Sequence, residues 1–399
     1  CRSSLAAAQA LGVKAENEGL DLVLTPPAEI KVDPDTVIDC GNSGTTARLL
    51  AGILSGMQVE ATLTGDESLR RRPMKRVIDP LTRMGAELAA DDGRLPMRVR
   101  GSKLLPFEYR LPVASAQVKS ALLLAGLASK CGVTVREDVV TRDHTELMIG
   151  HLGEGLTVRH IKPVLVQDRV DPRKRRQEMP EPFKTEISLA PRAAIHGGAI
   201  DVPGDISTAA FFFAAAAIAG KTITVQQVGV NPTRTGVIEH LRAIGCKVEV
   251  AGRQTVSGEP RANVTVTGGK LGIRRISDET TVALIDEIPI VAVMAAFANG
   301  TTVIRNAEEL RVKESDRLAA VVDNLKRMGV KCGLLEDGLA VEGGGEFEGA
   351  DFQTFGDHRI AMAFSIAALF ANGPSTIDDA DCVGISCPTF FDILDQIKA

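Results

Sequence analysis

The sequence predicts an α/β protein of two domains assembled from six helix–strand repeats, the first of them incomplete. Three observations carry that reading. The chain has 399 residues, beyond the roughly 250–300 at which a single hydrophobic core stops growing. Five helix-like runs end in Leu, Ile or Met followed by Gly, at Leu11-Gly12, Met84-Gly85, Leu152-Gly153, Ile244-Gly245 and Met328-Gly329. Glycine suits the left-handed residue that closes a helix. Five Ala-rich runs, 44–56, 115–132, 207–220, 289–300 and 358–373, end in Gly and lead into β-branched segments such as Thr222-Ile-Thr-Val225. That alternation is expected of amphipathic helices packed on sheets.

The repeating unit is therefore a loop, an Ala-rich helix, a strand, a loop, a second helix, Gly and further strands. The run 388–398 (PTFFDILDQIK) supplies a sixth second helix. Six second helices against five Ala-rich ones place Cys1–Gly12 inside the first repeat, so the chain is expected to lack that repeat's first helix and strand. A domain boundary is expected at Ile200–Gly204, giving domains 1–199 and 200–399. Ahead of it runs an irregular stretch with Pro172, Pro180, Pro182, Pro191 and the basic run Arg173-Lys-Arg-Arg176, read as a solvated hairpin tip.

Composition removes several function classes. The chain is 44% hydrophobic and 24% charged with a mean hydropathy of +0.07, which is globular composition. The longest apolar run, Ala209–Ala219, falls well short of the ~20 residues of a spanning helix, so no membrane role is expected. A net charge of −5 with no Trp and one Tyr argues against nucleic acid, whose binders show basic faces and stacking aromatics. The seven cysteines at 1, 40, 131, 246, 332, 382 and 387 make no Cys-x-x-Cys pair and have no histidine at zinc spacing. They read as small buried hydrophobes of a reducing, cytoplasmic compartment.

The functional signal is the placement of cations. A helix N-terminus is already partly positive, so Lys or Arg there is unfavourable unless an anion is present. This chain has Arg48 after Gly41-Asn-Ser-Gly-Thr-Thr46, Arg70-Arg71-Arg72 before Pro73, Lys119 after Ser115-Ala-Gln117, and Arg142 in Thr141-Arg-Asp-His-Thr-Glu146. Further on come Lys313 and Arg317 in Arg311-Val-Lys-Glu-Ser-Asp-Arg317, then His358-Arg359. Helices that aim cations and unpaired N–H groups at one place make a polyanion site. The P-loop and dinucleotide fingerprints are absent, as is a Mg²⁺ or other metal constellation, and no cofactor is expected. Among the carboxylates, Asp286 and Glu287 precede a Pro-started helix and are open to a first-turn capping role. Glu314 fits an i,i+3 partner of Arg317 on a solvated face. Each also fits proton transfer, the less common role of such a carboxylate. Asp357 and His358 carry the same two readings. The remaining histidines, 144, 151, 160, 196 and 240, show no metal spacing.

The strings GNSGTTARL (41–49), RRPM (71–74), SAQVKSALLLAGL (115–127), TRDHTE (141–146), VPGD (202–205), RVKESDRL (311–318) and FGDHRIAMAFSI (355–366) resemble the 5-enolpyruvylshikimate-3-phosphate synthase family, in order along essentially the whole chain. The resemblance implies the enolpyruvyl transferase fold, a two-domain inside-out α/β barrel with the active site in a cleft that closes on substrate. The implied reaction joins shikimate 3-phosphate to phosphoenolpyruvate and releases phosphate, on the route to chorismate. By the same resemblance, Ser115, Ala116, Gln117 and Arg142 hold the shikimate phosphate, and Asp286 and Lys313 reach its ring. Gly44, Thr45, Arg72, Gln117, Arg317, His358 and Arg359 hold phosphoenolpyruvate. Asp286 is the implied base for the 5-hydroxyl and Glu314 the acid for the methylene carbon. A monomer is the family expectation.

Two departures stand out. The family's Lys-Ser…Arg motif of the first Ala-rich helix is missing, which is expected to remove most activity, and 383–388 lacks the lysine that one branch of the family carries there. A UDP-sugar enolpyruvyl transferase is disfavoured because Arg70–Met74 offers arginines where that enzyme uses a cysteine. A truncated, non-catalytic binding product is the reading from another class. Gly44 also stands where the family binds the inhibitor glyphosate.

Overall fold

The computed structural model describes residues 1–19, 21–161 and 184–398, and it divides into two compact units, Cys1–Gly198 and Ala199–Ala399. The basic run 173–176 and Pro172, Pro180 and Pro182 lie outside the described residues. In the first unit, α1 (Arg2–Ala10) leads into the antiparallel pair β1 (Lys14–Glu18) and β2 (Asp21–Thr25). A full repeat follows: β3 (Val37–Asp39), α2 (Gly44–Gly56), β4 (Glu60–Thr64), the short α3 (Glu67–Arg71), α4 (Lys75–Met84), β5 (Glu87–Ala90) and β6 (Met97–Arg100). Its sheet runs β3-β4-β6-β5, with the first pair parallel and the others antiparallel. The next repeat has β7 (Phe107–Arg110), α5 (Ala116–Ser129), β8 (Val133–Glu137), α6 (His144–Leu152), β9 (Gly153–His160) and β10 (Thr185–Ile195), in the equivalent order β7-β8-β10-β9.

The second unit repeats the pattern. Helix α7 (Ile206–Ala219) is followed by β11 (Thr222–Gly229), α8 (Gly236–Ala243), β12 (Lys247–Val256) and β13 (Glu259–Thr267), with sheet order β11-β13-β12. A single parallel bridge from Gly204 to Val228 occupies the place of the repeat's first strand. Then come β14 (Arg275–Ile276), α9 (Asp278–Leu284), α10 (Ile288–Ala296), β15 (Gly300–Ile304), α11 (Arg317–Arg327), β16 (Lys331–Leu335) and β17 (Gly338–Gly343), ordered β14-β15-β17-β16. The last repeat shows β18 (Asp351–Phe352), α12 (His358–Ala368), β19 (Thr376–Ile377) and α13 (Phe390–Lys398). The short helices α3 and α9 are additions that the repeat in the sequence does not announce.

The Ala-rich helices lie inside and the sheets outside; where amphipathic helices were expected, α7 and α10 are apolar on nearly every face and cannot be solvated on any, whereas α2 and α5 carry polar residues near their N-termini. Every residue of α10 is buried, and α7, α10 and α12 pack on one another. Small residues set how closely they approach. In the first unit Gly52 and Gly56 of α2 lie on the α5 backbone, and a side-chain carbon at either would run into the carbonyl oxygen of Ala121 or Ala125. Of the five predicted cap glycines, Gly12, Gly85, Gly245 and Gly329 have positive φ. Gly153 is the exception, extended at φ −162°. It begins β9 directly, and glycine is required there because the Ala194 carbonyl occupies the space of a Cβ. Five cysteines are buried, Cys332 is half-buried and Cys1 exposed, all as free thiols. Among the described residues no helix is long and apolar enough to cross a membrane.

Candidate active site

In the first unit, two helix N-termini are tied together. Ser43 caps α2, accepting from the Thr46 N–H, and Ser115 caps α5, accepting from the Val118 N–H. Gln117 donates to Thr45 Oγ1 at 2.7 Å and accepts from Arg48 Nη1 at 2.8 Å. Arg48 Nη2 also donates to the Pro73 carbonyl at 3.2 Å, and Arg72 Nη2 to Asn42 Oδ1 at 2.9 Å. Two guanidinium groups therefore converge on Gly44: a Cβ built there would lie 2.7 Å from Arg48 Nη1 and 3.4 Å from Arg72 Nη1. Gly44, Thr45, Arg72, Ser115, Ala116 and Gln117 thus form one constellation around two positive helix ends. Arg48, singled out by its place at a helix start but given no substrate role by the family resemblance, is its hub.

Arg142 lies half-buried in the loop between β8 and α6. That loop is anchored by Lys119, which ion-pairs with Glu137 at 3.1 Å and Glu146 at 2.6 Å, all three nearly inaccessible. Thr141 donates to Glu137, and the Ser120 and Thr145 hydroxyls are 2.7 Å apart. Lys119 is therefore no anion-directed cation: two carboxylates already neutralise it, and its work is to fasten the Arg142 loop to α5. Burial pushes the Glu146 carboxyl up, and Lys119 opposes this. Arg70 and Arg71 also differ from expectation. They occupy the last turn of α3, where the helix dipole favours cations, and Arg71 pairs with Glu67.

In the second unit, three helix N-termini meet. Ser207 at the start of α7 donates to Glu287, just ahead of α10, and Arg359 of α12 donates to the Asp286 carbonyl at 3.0 Å. Glu287, the N-cap residue of α10, does not cap it with its side chain. Asp286 instead faces Arg234 at 3.4 Å, Lys313 at 3.8 Å and Arg317 at 3.7 Å. Arg317 is 1% exposed and bridges Asp286, Glu314 at 2.7 Å and Asp357 at 2.8 Å. Glu314 is thus the predicted i,i+3 partner of Arg317, but against a buried guanidinium rather than on a solvated face.

Burial alone would raise the Asp357 carboxyl, yet the Arg317 charge and its hydrogen bonds outweigh it and hold Asp357 at about 2. Burial lowers His358 to about 4, so its imidazole is neutral near pH 7, and Nδ1 finds no hydrogen-bond partner among the described residues. Burial likewise pushes Glu287 up. Asp286, Lys313, Glu314, Arg317, His358 and Arg359 are all brought together. Sequence reasoning missed Arg234, although Thr233-Arg-Thr235 just ahead of α8 is itself a cation at a helix start and the same rule would have found it. Among the described residues no His, Cys, Asp and Glu cluster could hold a metal ion.

Inward helices whose N-termini collect arginines, in the second unit around buried carboxylates, define an α/β protein whose sites are built for anionic ligands. The family model for EPSP synthase (3-phosphoshikimate 1-carboxyvinyltransferase) matches residues 1–172 and 180–394, and the chain belongs to that family. It is 49% identical over 400 residues to the 3-phosphoshikimate 1-carboxyvinyltransferase of Anaeromyxobacter sp. strain K, covering 99% of this chain and 85% of that protein. The enzyme of that name from Synechocystis is 45% identical over 369 residues, 92% of this chain and 78% of the relative. A solved EPSP synthase from Acinetobacter baumannii superposes with a TM-score of 0.79 at 37% identity, covering 99% of this chain and 86% of that one.

Proposed function

We propose that this chain transfers the enolpyruvyl group of phosphoenolpyruvate to the 5-hydroxyl of shikimate 3-phosphate, releasing phosphate. The observation that carries the reading is the placement of Asp286 and Glu314 on the same buried guanidinium, Arg317, within a family match along nearly the whole chain. Ser115, Ala116, Gln117 and Arg142 take the 3-phosphate, and Lys313 and Asp286 the ring hydroxyls. Gly44 and Thr45 at the α2 start, with Gln117, Arg72, Arg317 and Arg359, take the carboxylate and phosphate of phosphoenolpyruvate. Planar guanidinium forks suit both groups better than ammonium. The neutral His358 lies beside them. In this reading the first unit, Cys1–Gly198, supplies groups for both substrates, and the second, Ala199–Ala399, supplies the reacting carboxylates.

Asp286, surrounded by cations, accepts the 5-hydroxyl proton as that oxygen bonds to the central carbon of phosphoenolpyruvate, while Glu314 protonates the methylene carbon. The resulting tetrahedral intermediate is stabilised by the preorganised cations. When the carbon–oxygen bond to phosphate breaks, the methyl carbon returns a proton to Glu314 and phosphate leaves with the proton held by Asp286, restoring both groups. The protein acts as a cytoplasmic monomer without cofactor.

The test is phosphate release by the purified chain. Release that requires both substrates and is lost in Asp286→Asn supports the reading. Release with UDP-N-acetylglucosamine as acceptor, or binding of both substrates without turnover, overturns it in favour of the sister enzyme or of a non-catalytic product.

A further inference from the structure

We infer that Arg234 is a positioning residue for the reaction proposed above: it fastens Asp286 by one carboxylate oxygen and so fixes the other as the proton acceptor. Arg234 lies in the loop before α8 with its side chain 13% exposed. Nη1 is 3.4 Å from Asp286 Oδ2 and donates to it. Nη2 donates to the Ser207 hydroxyl, which donates in turn to Glu287. The same nitrogen is 3.6 Å from Glu287 Oε1 and 3.9 Å from Asp205 Oδ1. One planar fork therefore joins the α7 N-terminus to the Asp286–Glu287 turn.

The two oxygens of Asp286 are treated differently. Oδ2 faces Arg234, whereas Oδ1 faces Lys313 at 3.8 Å and Arg317 at 3.7 Å, the cations assigned to substrate. A carboxylate free to rotate would exchange these oxygens and spend part of its time misaligned, and a fork on Oδ2 prevents this. The charged groups around the turn are Asp205 from α7, Arg234 itself, Lys313 and Glu314, Arg317 from α11, and Arg359 from α12 with its neighbours Asp357 and His358. Arg234 donates to the Asp286 carboxylate through Nη1 and reaches Glu287 through Ser207 from Nη2, so one guanidinium holds both carboxylates. Burial pushes the Glu287 carboxyl up against the opposing charge of Arg234. The guanidinium therefore stands between one carboxylate that must stay ionised and one that burial tends to neutralise, the arrangement by which paired acids acquire separate roles.

The inference rests on the proposed function, and its test has one arm that needs no turnover. The carboxyl ¹³C resonance of Asp286, assigned by its loss in Asp286→Asn, is titrated in the resting protein and in Arg234→Gln and Arg234→Lys. The pH dependence of kcat for phosphate release is measured alongside. In Arg234→Gln the Asp286 midpoint is expected to rise by about one pH unit, as loss of a nearby opposite charge requires. The acid limb of kcat follows it, kcat falls between about ten- and a hundredfold through lost orientation, and KM for either substrate stays within about twofold. Arg234→Lys restores the midpoint but only part of kcat, since a point charge cannot reproduce the fork. A folded Arg234→Gln in which Asp286 titrates as in wild type overturns the inference. If Arg234→Gln does not fold, Arg234→Lys decides: wild-type kcat overturns the inference, and lowered kcat at an unchanged midpoint supports it. A shifted midpoint in a protein that releases no phosphate supports the fastening and refutes the reaction.

Discussion

Replacing Asp357 by Asn removes one charge from the most buried ion pair in the second unit, and it turns Oδ2, which accepts from Arg317 Nε and from Ser315 Oγ at 3.0 Å, into an amide donor. Asp357 is 0% and Arg317 1% exposed, and the two meet through Nε–Oδ2 at 2.8 Å and Nη2–Oδ1 at 3.2 Å. The same carboxylate caps α12 by accepting from the Arg359 N–H at 2.9 Å, a role that asparagine retains. Two routes give the magnitude. Folding lowers the Asp357 value from 3.8 to about 2, which at about 1.4 kcal/mol per unit is on the order of 2 kcal/mol. Breaking a buried pair by removing one partner costs about 3–5 kcal/mol. Because Glu314 remains 2.7 Å from Arg317, we expect the low end, about 2–4 kcal/mol at pH 7. The folded value lies below the unfolded one, so the contribution is complete above pH ~4 and disappears as pH falls toward 2. Roughly half of that contribution is gone by pH 3. Urea unfolding of wild type and variant at pH 7, 5, 4 and 3 measures this directly. A loss under about 1 kcal/mol at pH 7, or one that does not narrow between pH 4 and 3, would refute the reasoning.

Lys119→Met strips the cation from Glu137 and Glu146, whose side chains are 1% and 4% exposed, and should cost about 3–5 kcal/mol in the urea midpoint. Adding Glu146→Gln to it should recover part of that loss, and no recovery would argue against a charge origin. His240, 2% exposed and lowered by burial to about 4 from 6.5, stays neutral in the fold while the unfolded chain takes up a proton. Stability should therefore fall by up to about 1.4 kcal/mol per pH unit as pH drops from 6.5 to 4. His240→Gln should be measurably flatter over that window, and an identical slope would count against the assignment. Gly44→Ala places a Cβ 2.7 Å from Arg48 Nη1, the mobile end of a long side chain, so the fold should survive while the Arg48–Gln117 contact is displaced. Raised KM for phosphoenolpyruvate and weaker glyphosate inhibition are expected in steady-state assays. Unchanged inhibition of an active enzyme would refute this.

The repeat was legible because four of its units carry two strong local signals, an Ala-rich run ending in Gly and a glycine at the end of the next helix. The fourth repeat's reduced first strand was hidden, since the bridge at Gly204 involves one residue and leaves no period to detect. At the candidate site, helix-end cations identified Arg48, Arg72 and Arg317 because an unfavourable placement needs a reason. The same rule misread Lys119, whose partners Glu137 and Glu146 lie 18 and 27 residues further on and meet it only through tertiary packing. Asp286 and Glu287 were ambiguous for a related reason. A capping carboxylate and a buried one look alike in sequence, and only Arg234 and Ser207, brought in from another repeat, distinguish them.

Gly52 and Gly56 act at a distance from any ligand. By letting α2 rest on the α5 backbone they set the gauge of a two-pronged fork whose tips are Gly44–Thr45 and Ser115–Gln117. The gap at the tips is fixed by side chains that are missing along the shanks. Under the proposed function, the fork's tolerance for anion size is written two and three turns into the helix, where a substitution would retune selectivity without altering any group assigned to substrate.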